Sequence, residues 1–356
     1  MTNRREFIKQ VAVAGVATAI PGQIFSKKET KNNNNNELIW ANLLHLSYNM
    51  WEDHAPLPYQ DTVFTGDNCQ EAYLWAHKYH PNLTFDKNVW DQLLVKMAGA
   101  GINMLIIDLG DGVKYDSHPE IAVEYAWSPS ELKRELKKIR EMGLEPIPKL
   151  NFSTGHKAWL GPYQRMISSE KYYTTCKNLI EEVCGLFDSP RFFHLGMDEE
   201  TAGHQRNHQN VVVRQGELWW HDFYYLVDLV EKQNARSWIW SDYAWDHPNL
   251  FFEKMPKSVL QSNWYYASQF ENFDNPLHEK YVRLYDQLEA HGYDQIPTGS
   301  NHSNSVNFEK TVEYCSKIIS PDRLKGFMQT TWRPTLAPCF ERHSEAIERA
   351  RIMIQP

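Results

Sequence analysis

The sequence predicts a single (β/α)8 TIM barrel, an α/β fold, that spans residues 38–356. Three observations lead to this fold class. Eight short apolar runs rich in β-forming residues recur along the chain, and amphipathic segments lie between them. Strands that alternate with helices pair in parallel through right-handed crossovers, and eight such units close a barrel. The length of this region, roughly 320 residues, is also usual for one such barrel.

Each element has its own signal in the sequence. Short apolar runs predict eight strands, at 38–43, 103–108, 145–150, 192–197, 237–241, 259–263, 295–299 and 326–330. Apolar residues at helical spacing predict helices at 87–100, 129–141, 169–186, 217–233, 279–291, 308–319 and 344–354. Ser128 and Pro129 mark a helix start, and Gly143 lies just past the end of that helix. Residues 50–79 form a long insertion after the first strand, on the face where barrel active sites are built.

The N-terminal residues are predicted to lie outside the barrel. Arg4 and Arg5 begin a twin-arginine pattern, an apolar run follows, and Ala17-Thr18-Ala19 is a cleavage signal, so residues 1–19 are a candidate twin-arginine signal peptide. Residues 20–37 are polar and end near five consecutive asparagines, which predicts a disordered linker. We therefore expect export to the periplasm or the exterior of a bacterium. The alternative is a mobile basic N-terminus on a cytosolic protein.

The composition of the chain indicates which classes of partner the protein binds. The formal net charge is −8 and there is no basic block, which argues against nucleic acid or an anionic membrane surface as a partner. No later segment is apolar enough to predict a membrane span. Thirteen tryptophans and eighteen tyrosines exceed what core packing needs, and aromatic faces stack on sugar rings. A glycan or oligosaccharide is therefore the expected partner, although helix–strand packing accounts for some of these aromatics.

In a (β/α)8 barrel the loops after the strands carry the chemistry, so residues at the strand ends are the candidate site residues. Acids, imidazoles, amides and aromatics converge there, with few lysines, which suits neutral polyols better than phosphates. The candidates for catalysis are Asp198 and Glu199. The candidates for substrate binding are Asp108, Asn151, His156, Trp240, Asp242, Trp264, Tyr265 and Trp332.

The run Phe192-Phe193-His194-Leu195-Gly196-Met197-Asp198-Glu199-Glu200 is the sharpest signal. Three acids directly after an apolar strand are unfavourable near a hydrophobic barrel mouth unless they have a function. One of them serving as a helix cap is the alternative reading. Two neighbouring carboxylates repel each other, so one of them should keep its proton near neutral pH and act as a general acid.

These residues resemble a known family. The run 194–199 resembles the H-x-G-G-D-E signature of glycoside hydrolase family 20, the β-N-acetylhexosaminidases. Residues 145–156, with Asn151 and His156, resemble that family's I-P-E-x-D-x-P-G-H segment after strand three. Trp240-Ser241-Asp242 resembles its fifth-strand W-D-[DE], and residues 326–332 resemble its last strand, which ends in a substrate-cupping tryptophan. The resemblance covers nearly the whole barrel.

The resemblance implies a retaining mechanism in which the substrate assists. Glu199 would protonate the glycosidic oxygen, while Asp198 would orient the 2-acetamido group that attacks the anomeric carbon. Both side chains must then face one pocket, although neighbours on a regular strand face opposite ways. We therefore predict that the strand breaks near Met197, which stands where the signature has its second glycine. Lys149 and Asn151 also replace acids of the third-strand motif, and no arginine near 38–48 matches the family's sugar-gripping one.

Two other functions remain open at this point. One is a glycosidase of different specificity, in which a carboxylate such as Asp242 serves as nucleophile or base beside Glu199. The other is a non-catalytic barrel that binds glycans. The sequence predicts no cofactor and no metal site, because His204 and His208 are four residues apart but lack a third ligand at suitable spacing. It carries no signal for an oligomeric state.

Overall fold

The computed structural model describes residues 38–53 and 75–355. The predicted signal peptide at 1–19 and the predicted linker at 20–37 lie outside the described residues. Residues 54–74, the middle of the predicted insertion after the first strand, lie outside them as well. Export therefore stays a prediction from the sequence.

Eight strands form one parallel sheet, in the order β6-β5-β4-β3-β2-β1-β8-β7. Backbone hydrogen bonds from Ile296 N to Gln261 O and from Thr298 N to Asn263 O, both 2.9 Å, join its two ends. The predicted (β/α)8 barrel is thereby confirmed. Its strands are β1 Ile39–His45, β2 Met104–Asp108, β3 Glu145–Lys149, β4 Phe192–His194, β5 Arg236–Trp240, β6 Leu260–Ser262, β7 Thr298–Ser300 and β8 Gly326–Thr330.

Helices lie between the strands. They are α1 Lys87–Ala100, α2 Pro129–Glu141, α3 Glu170–Leu186, α4 Glu217–Lys232, α5 Tyr243–Asp246, α6 Pro248–Lys254, α7 Pro276–Ala290, α8 Asn307–Ile318 and α9 Phe340–Ile354. The short helices α5 and α6 follow β5, in a region where the sequence analysis named no helix. Within the described part of the chain, no helix has the length and apolar character needed to cross a membrane.

Local sequence explains the helix boundaries. Ser128 and Glu131 form a capping box at the start of α2, in which each side chain hydrogen-bonds the other residue's backbone N–H. The side chain of Asp86 accepts hydrogen bonds from Asn88 N and Val89 N at the start of α1. Gly101 ends α1 with φ 84°, a left-handed conformation that glycine adopts without strain. These caps fix where each crossover enters and leaves the sheet.

The core has two layers, as barrels require. Inside the ring of strands, a compact cluster fills the barrel with alternate strand residues such as Leu43, Ile106, Ile147, Trp238 and Met328. A larger cluster lies between the strands and the surrounding helices. The inner cluster closes the barrel below its carboxyl-terminal mouth, so polar residues at the strand ends lie on an apolar floor.

Two strands differ from the prediction by three residues at one end. β4 ends at His194 instead of continuing to 197, because Gly196 and Met197 adopt left-handed backbone conformations. β7 begins at Thr298 instead of 295. Pro297 interrupts the ladder there because it has no N–H to donate, and Gln295 forms only isolated bridges.

Candidate active site

The chain turns sharply after β4, and this turn shapes the site. Gly196, Met197 and Glu199 all have positive φ values, 73°, 75° and 56°. The backbone N–H of Gly196 donates to His194 Nδ1 at 3.1 Å, which holds the start of the turn. A Cβ on Gly196 would lie 1.9 Å from Asn151 Oδ1, so only glycine fits against that side chain. The alternation of a regular strand is lost, as the sequence predicted.

Because of this turn, Asp198 and Glu199 reach the same side of the chain and meet His156. Asp198 Oδ1 lies 3.3 Å from His156 Nδ1, and Glu199 Oε2 lies 3.3 Å from His156 Nε2. The Asp198 side chain is buried, whereas that of Glu199 is 24% exposed. His204, a half-exposed residue that the sequence did not single out for this role, approaches Glu199 Oε1 at 3.3 Å. Glu199 is therefore the solvent-facing member of the pair.

The charge on Asp198 is stabilised from several directions. Asn151 Nδ2 donates to Asp198 Oδ1 at 2.8 Å. Burial alone would raise the pKa of Asp198, but His156 and then Lys149 lower it well below its usual range. Burial alone would likewise lower the pKa of His156, yet Asp198 and Glu199 raise it to about 10. At neutral pH these groups are a carboxylate and an imidazolium.

Asp242 lies beside this pair, and its environment favours the protonated carboxyl group, whereas that of Asp198 favours the carboxylate. Its Oδ2 accepts a hydrogen bond from Glu199 N at 2.8 Å, and Trp264 Nε1 approaches its Oδ1 at 3.4 Å. Burial, and then the negative charge of Asp198, raise the pKa of Asp242 well above its ordinary value. The electrostatics therefore favour the protonated form of Asp242.

Aromatic side chains form one wall of the pocket. Trp264 stacks on Tyr266 with ring centroids 5.1 Å apart, and Trp332 Nε1 donates to the Tyr266 hydroxyl at 2.8 Å. Trp264 and Trp332 are both partly exposed. Trp240 is only 1% exposed and lies inside the barrel, 5.9 Å from the Trp332 ring. The structure therefore corrects the role of Trp240 from sugar contact to support beneath Trp332.

The structure also corrects the prediction that Tyr265 binds substrate. Its hydroxyl donates to Gln269 O at 2.7 Å, and its ring packs on Phe270 in the layer between strands and helices. Neighbouring residues of an extended segment face opposite ways, so Trp264 and Tyr266 share the pocket side and Tyr265 does not. Strict alternation after β6 was the signal in the sequence that would have selected Tyr266.

Asp108 is placed deeper than the sequence suggested. Its carboxylate pairs with Lys149 and lies 3.4 Å from His45 Nδ1, and the residue is 4% exposed. Burial raises the pKa of Asp108, but Lys149 and His45 together lower it to about 2. Asp108 therefore belongs to a buried charge network beneath the pocket, and a direct contact with substrate does not fit this position. Asn151, 2% exposed, similarly acts by holding Asp198.

The third acid of the run has a separate environment. Glu200 pairs with Arg214, whose Nη1 lies 3.2 Å from Asp222 Oδ2, and all three side chains are buried. Thr154 N also donates to Glu200 Oε1 at 3.1 Å. Glu200 thus ties the loops after β3 and β4 together. Nothing in the sequence marked Arg214 as its partner, because Arg214 lies in an irregular loop.

His156, Asp198 and Glu199 are close enough to be considered as metal ligands. The geometry argues against this role, because Asp198 and Glu199 face different nitrogens of the His156 ring, whereas one ion would bind only one of those nitrogens. Both of its nitrogens face carboxylate oxygens, which is the geometry of an ion pair. The arrangement is chemically suited to proton transfer from an exposed carboxyl group beside a buried, fixed negative charge.

Replacing Gly196 with Ala is expected to lower the free energy of unfolding by about 2–4 kcal/mol, because the Cβ meets Asn151 and the backbone is left-handed. Urea unfolding measures this change. Gly185→Ala in α3 is the matched control, since no atom lies within 4 Å of the added Cβ and alanine favours helix. Equal stability of the Gly196→Ala variant and the wild type would contradict the tight turn.

The stabilising effect of His156 is expected to depend on pH. A histidine whose pKa is raised in the folded state stabilises fully below its unfolded pKa of about 6.5, and this contribution is lost as pH rises towards 10. The difference in free energy of unfolding between the wild type and His156→Gln should therefore shrink from pH 6 to pH 10. Denaturant titrations at several pH values measure it. A difference independent of pH would remove the imidazolium from the site.

Comparisons with known proteins bear on the fold. No protein-family model and no curated protein matches the sequence. Among solved structures, the chain is similar to a chitobiase from Flavobacterium johnsoniae, with 16% identity, a TM-score of 0.55, and coverage of 74% of this chain and 46% of the other. It is similar to a family 20 exo-β-N-acetylglucosaminidase from Vibrio harveyi in complex with N-acetylglucosamine, with 16% identity, a TM-score of 0.52 and coverage of 76% and 52%.

A β-N-acetylhexosaminidase from Bacteroides fragilis is also similar, with 11% identity, a TM-score of 0.55 and coverage of 87% of this chain and 65% of the other. The chain thus spans about half the length of the first two structures and somewhat under two thirds of the third. At these identities the likeness shows a shared fold. The fold shared with these structures is the (β/α)8 barrel.

Proposed function

We propose that the protein is an exported, retaining glycoside hydrolase that removes terminal β-N-acetylhexosamine residues from glycans. One observation carries the proposal. Asp198 and Glu199 are consecutive in the sequence, yet both lie 3.3 Å from the ring nitrogens of His156 at the mouth of the barrel. Export rests on the sequence pattern at residues 1–19 alone.

In this proposal Glu199 donates its proton to the glycosidic oxygen as the bond to the anomeric carbon breaks. Asp198 accepts a hydrogen bond from the N–H of the substrate's 2-acetamido group, so that the carbonyl oxygen of that group attacks the anomeric carbon. The fixed charge of Asp198 stabilises the positive charge of the cyclic intermediate. Glu199 then takes a proton from water, which opens the intermediate with net retention.

The state of Asp242 favours this mechanism over a conventional double displacement. A double displacement needs an ionised carboxylate as nucleophile, about 5–5.5 Å from the acid. The raised pKa of Asp242 favours its protonated form, and its Oδ2 accepts a hydrogen bond from the backbone N–H of Glu199. A protonated carboxyl group is a poor nucleophile. The names of the similar structures, a chitobiase and N-acetylhexosaminidases, agree with the proposed substrate class.

A matched pair of aryl glycosides tests the proposal. The mature protein should hydrolyse 4-nitrophenyl β-N-acetylglucosaminide and leave the corresponding β-glucoside intact, because only the first carries the assisting acetamido group. Turnover of both would support a glycosidase of other specificity. Binding of N-acetylglucosamine without turnover of any aryl glycoside would identify a glycan-binding barrel and overturn the proposal.

Trp264 and Trp332 are expected to contact the bound sugar. Each substitution to alanine should weaken binding of N-acetylglucosamine by about 1–3 kcal/mol, because a partly exposed aromatic face is lost from the pocket wall. Calorimetric titration measures the effect. Tyr265→Phe is the control, since its hydroxyl bonds Gln269 O away from the pocket. A larger loss in that control than in Trp264→Ala would place the sugar elsewhere.

A further inference from the structure

A second group of ligand-type side chains lies outside the catalytic pair. It consists of Asp53 in the loop after β1, His77 further along the same loop, and His208 in the loop after β4. Asp53 Oδ2 lies 2.8 Å from His77 Nδ1, and Asp53 Oδ1 lies 3.7 Å from His208 Nε2. One donor atom from each residue can be chosen so that all three lie within 4.8 Å of one another.

These three side chains are buried, and two of their polar atoms have no hydrogen-bond partner within the described residues. The side chains of Asp53, His77 and His208 are 2%, 7% and 6% exposed. Asp53 Oδ1 and His208 Nε2 are fully buried and find no hydrogen-bond partner within the described part of the chain. Buried polar atoms are almost always paired, and leaving them without a partner is unfavourable. A hydrogen bond between Asp53 and His77 alone leaves these two atoms unsatisfied, whereas a cation between them would satisfy both.

We propose that Asp53, His77 and His208 bind one Zn²⁺ ion. Two imidazoles and a carboxylate are ligands that zinc takes in proteins, at about 2.0–2.2 Å, so tetrahedral donors lie about 3.3 Å apart. The imidazole nitrogens of His77 and His208 lie 2.8 and 3.7 Å from different oxygens of the Asp53 carboxylate. One donor atom from each residue can be chosen within 4.8 Å of the other two, so side-chain movements can close the three residues on one ion. Three protein ligands leave the fourth position to water. The group contains no thiolate, which would favour softer ions.

The zinc ion would join the two loops that flank the active site. The backbone already brings them together, because Gln209 N donates to Glu52 O at 3.2 Å and Asp53 forms an isolated antiparallel bridge with His208. Trp51 stacks on the His77 ring, with centroids 4.7 Å apart, and its edge meets His156 at 5.2 Å. The ion would therefore hold in place the loop whose Trp51 packs against His156. The sequence could not predict it, because three separate segments supply the ligands.

Metal analysis of the full chain tests this inference independently of any glycosidase activity. Protein treated with chelator, incubated with ZnSO4 and freed of excess ion should retain one zinc per chain by mass spectrometry of the metal. His208→Ala and Asp53→Asn should lose this zinc. His204→Ala is the matched control, because His204 lies in the same loop but is half exposed and faces Glu199; it should keep the zinc.

Thermal unfolding guards against variants that fail to fold. Zinc should raise the melting temperature of the wild type and leave that of His208→Ala unchanged, as expected for an ion that binds only the folded state. No retained zinc in the wild type would overturn the inference. Loss of zinc from Glu199→Gln, with retention in His208→Ala, would also overturn it, because the ion would then belong to the catalytic residues.

Discussion

Replacing Glu199 with Gln is expected to lower kcat for a natural β-N-acetylhexosaminide by about 10²–10⁴-fold, the usual contribution of a positioned general acid. Glutamine has nearly the same shape, so it can keep the contacts with His156 and His204, which lie 3.3 Å from the two carboxylate oxygens of Glu199. It has no proton to give to the departing oxygen. Initial rates on a disaccharide, with KM measured separately, show whether the loss falls on kcat.

The leaving group supplies an internal control. An aryl glycoside with a dinitrophenolate leaving group needs little protonation, so the Glu199→Gln variant should retain most of its rate on that substrate. Glu200→Gln is the matched variant at the next residue. It breaks a buried pair with Arg214, so about 3–5 kcal/mol of stability should be lost while the folded protein keeps its kcat. An unchanged rate of Glu199→Gln on the disaccharide would remove Glu199 from the acid role.

The fold was predictable because its signals are local. Each barrel strand is buried on both faces, so it appears as a short apolar run, and each helix shows an apolar stripe between caps. The predicted limits of α1 and α2 agree with the structure to the residue. The start of β7 was missed because Pro297 removes a ladder hydrogen bond that the hydrophobic pattern does not record.

The site was predictable only where a motif carried it. Asn151, His156, Asp198 and Glu199 occur in two short runs, and the structure brings these runs together. The position of Met197 shows why a residue outside the motif can still fit. Its backbone takes the left-handed conformation that glycine would favour, and its buried side chain packs with Sδ 3.9 Å from Arg214 Nη2.

The remaining site residues depend on contacts between distant segments. Lys149 shows this most clearly, since it replaces an acid of the family motif and yet is fully buried beside Asp108. A buried charge without a partner is strongly unfavourable, so Lys149 and Asp108 stabilise each other. The positive charge of Lys149 also lowers the pKa of Asp198. Such a role depends on which side chains face the barrel axis, and a linear sequence does not record it.

Replacing Asp198 with Asn is expected to lower kcat for N-acetylated substrates by about 10²–10³-fold, as for the loss of one electrostatic contact to the transition state. The amide carries no charge to offset the positive intermediate. It also leaves the His156 imidazolium facing a neutral group. Thiazoline inhibitors mimic the cyclised acetamido intermediate, so the wild type should bind them tightly and Asp198→Asn should bind them weakly.

Asp242→Asn distinguishes the two enzymatic mechanisms. If Asp242 holds a proton, its neutral amide analogue still accepts the hydrogen bond from Glu199 N, and the loss in kcat should stay below about 10-fold. A nucleophilic Asp242 would instead make this variant the more damaged one, because an amide cannot form the covalent intermediate. Turnover of sugars without the acetamido group, together with no thiazoline binding, would then favour double displacement. A larger loss in Asp198→Asn than in Asp242→Asn is therefore the result that substrate assistance requires.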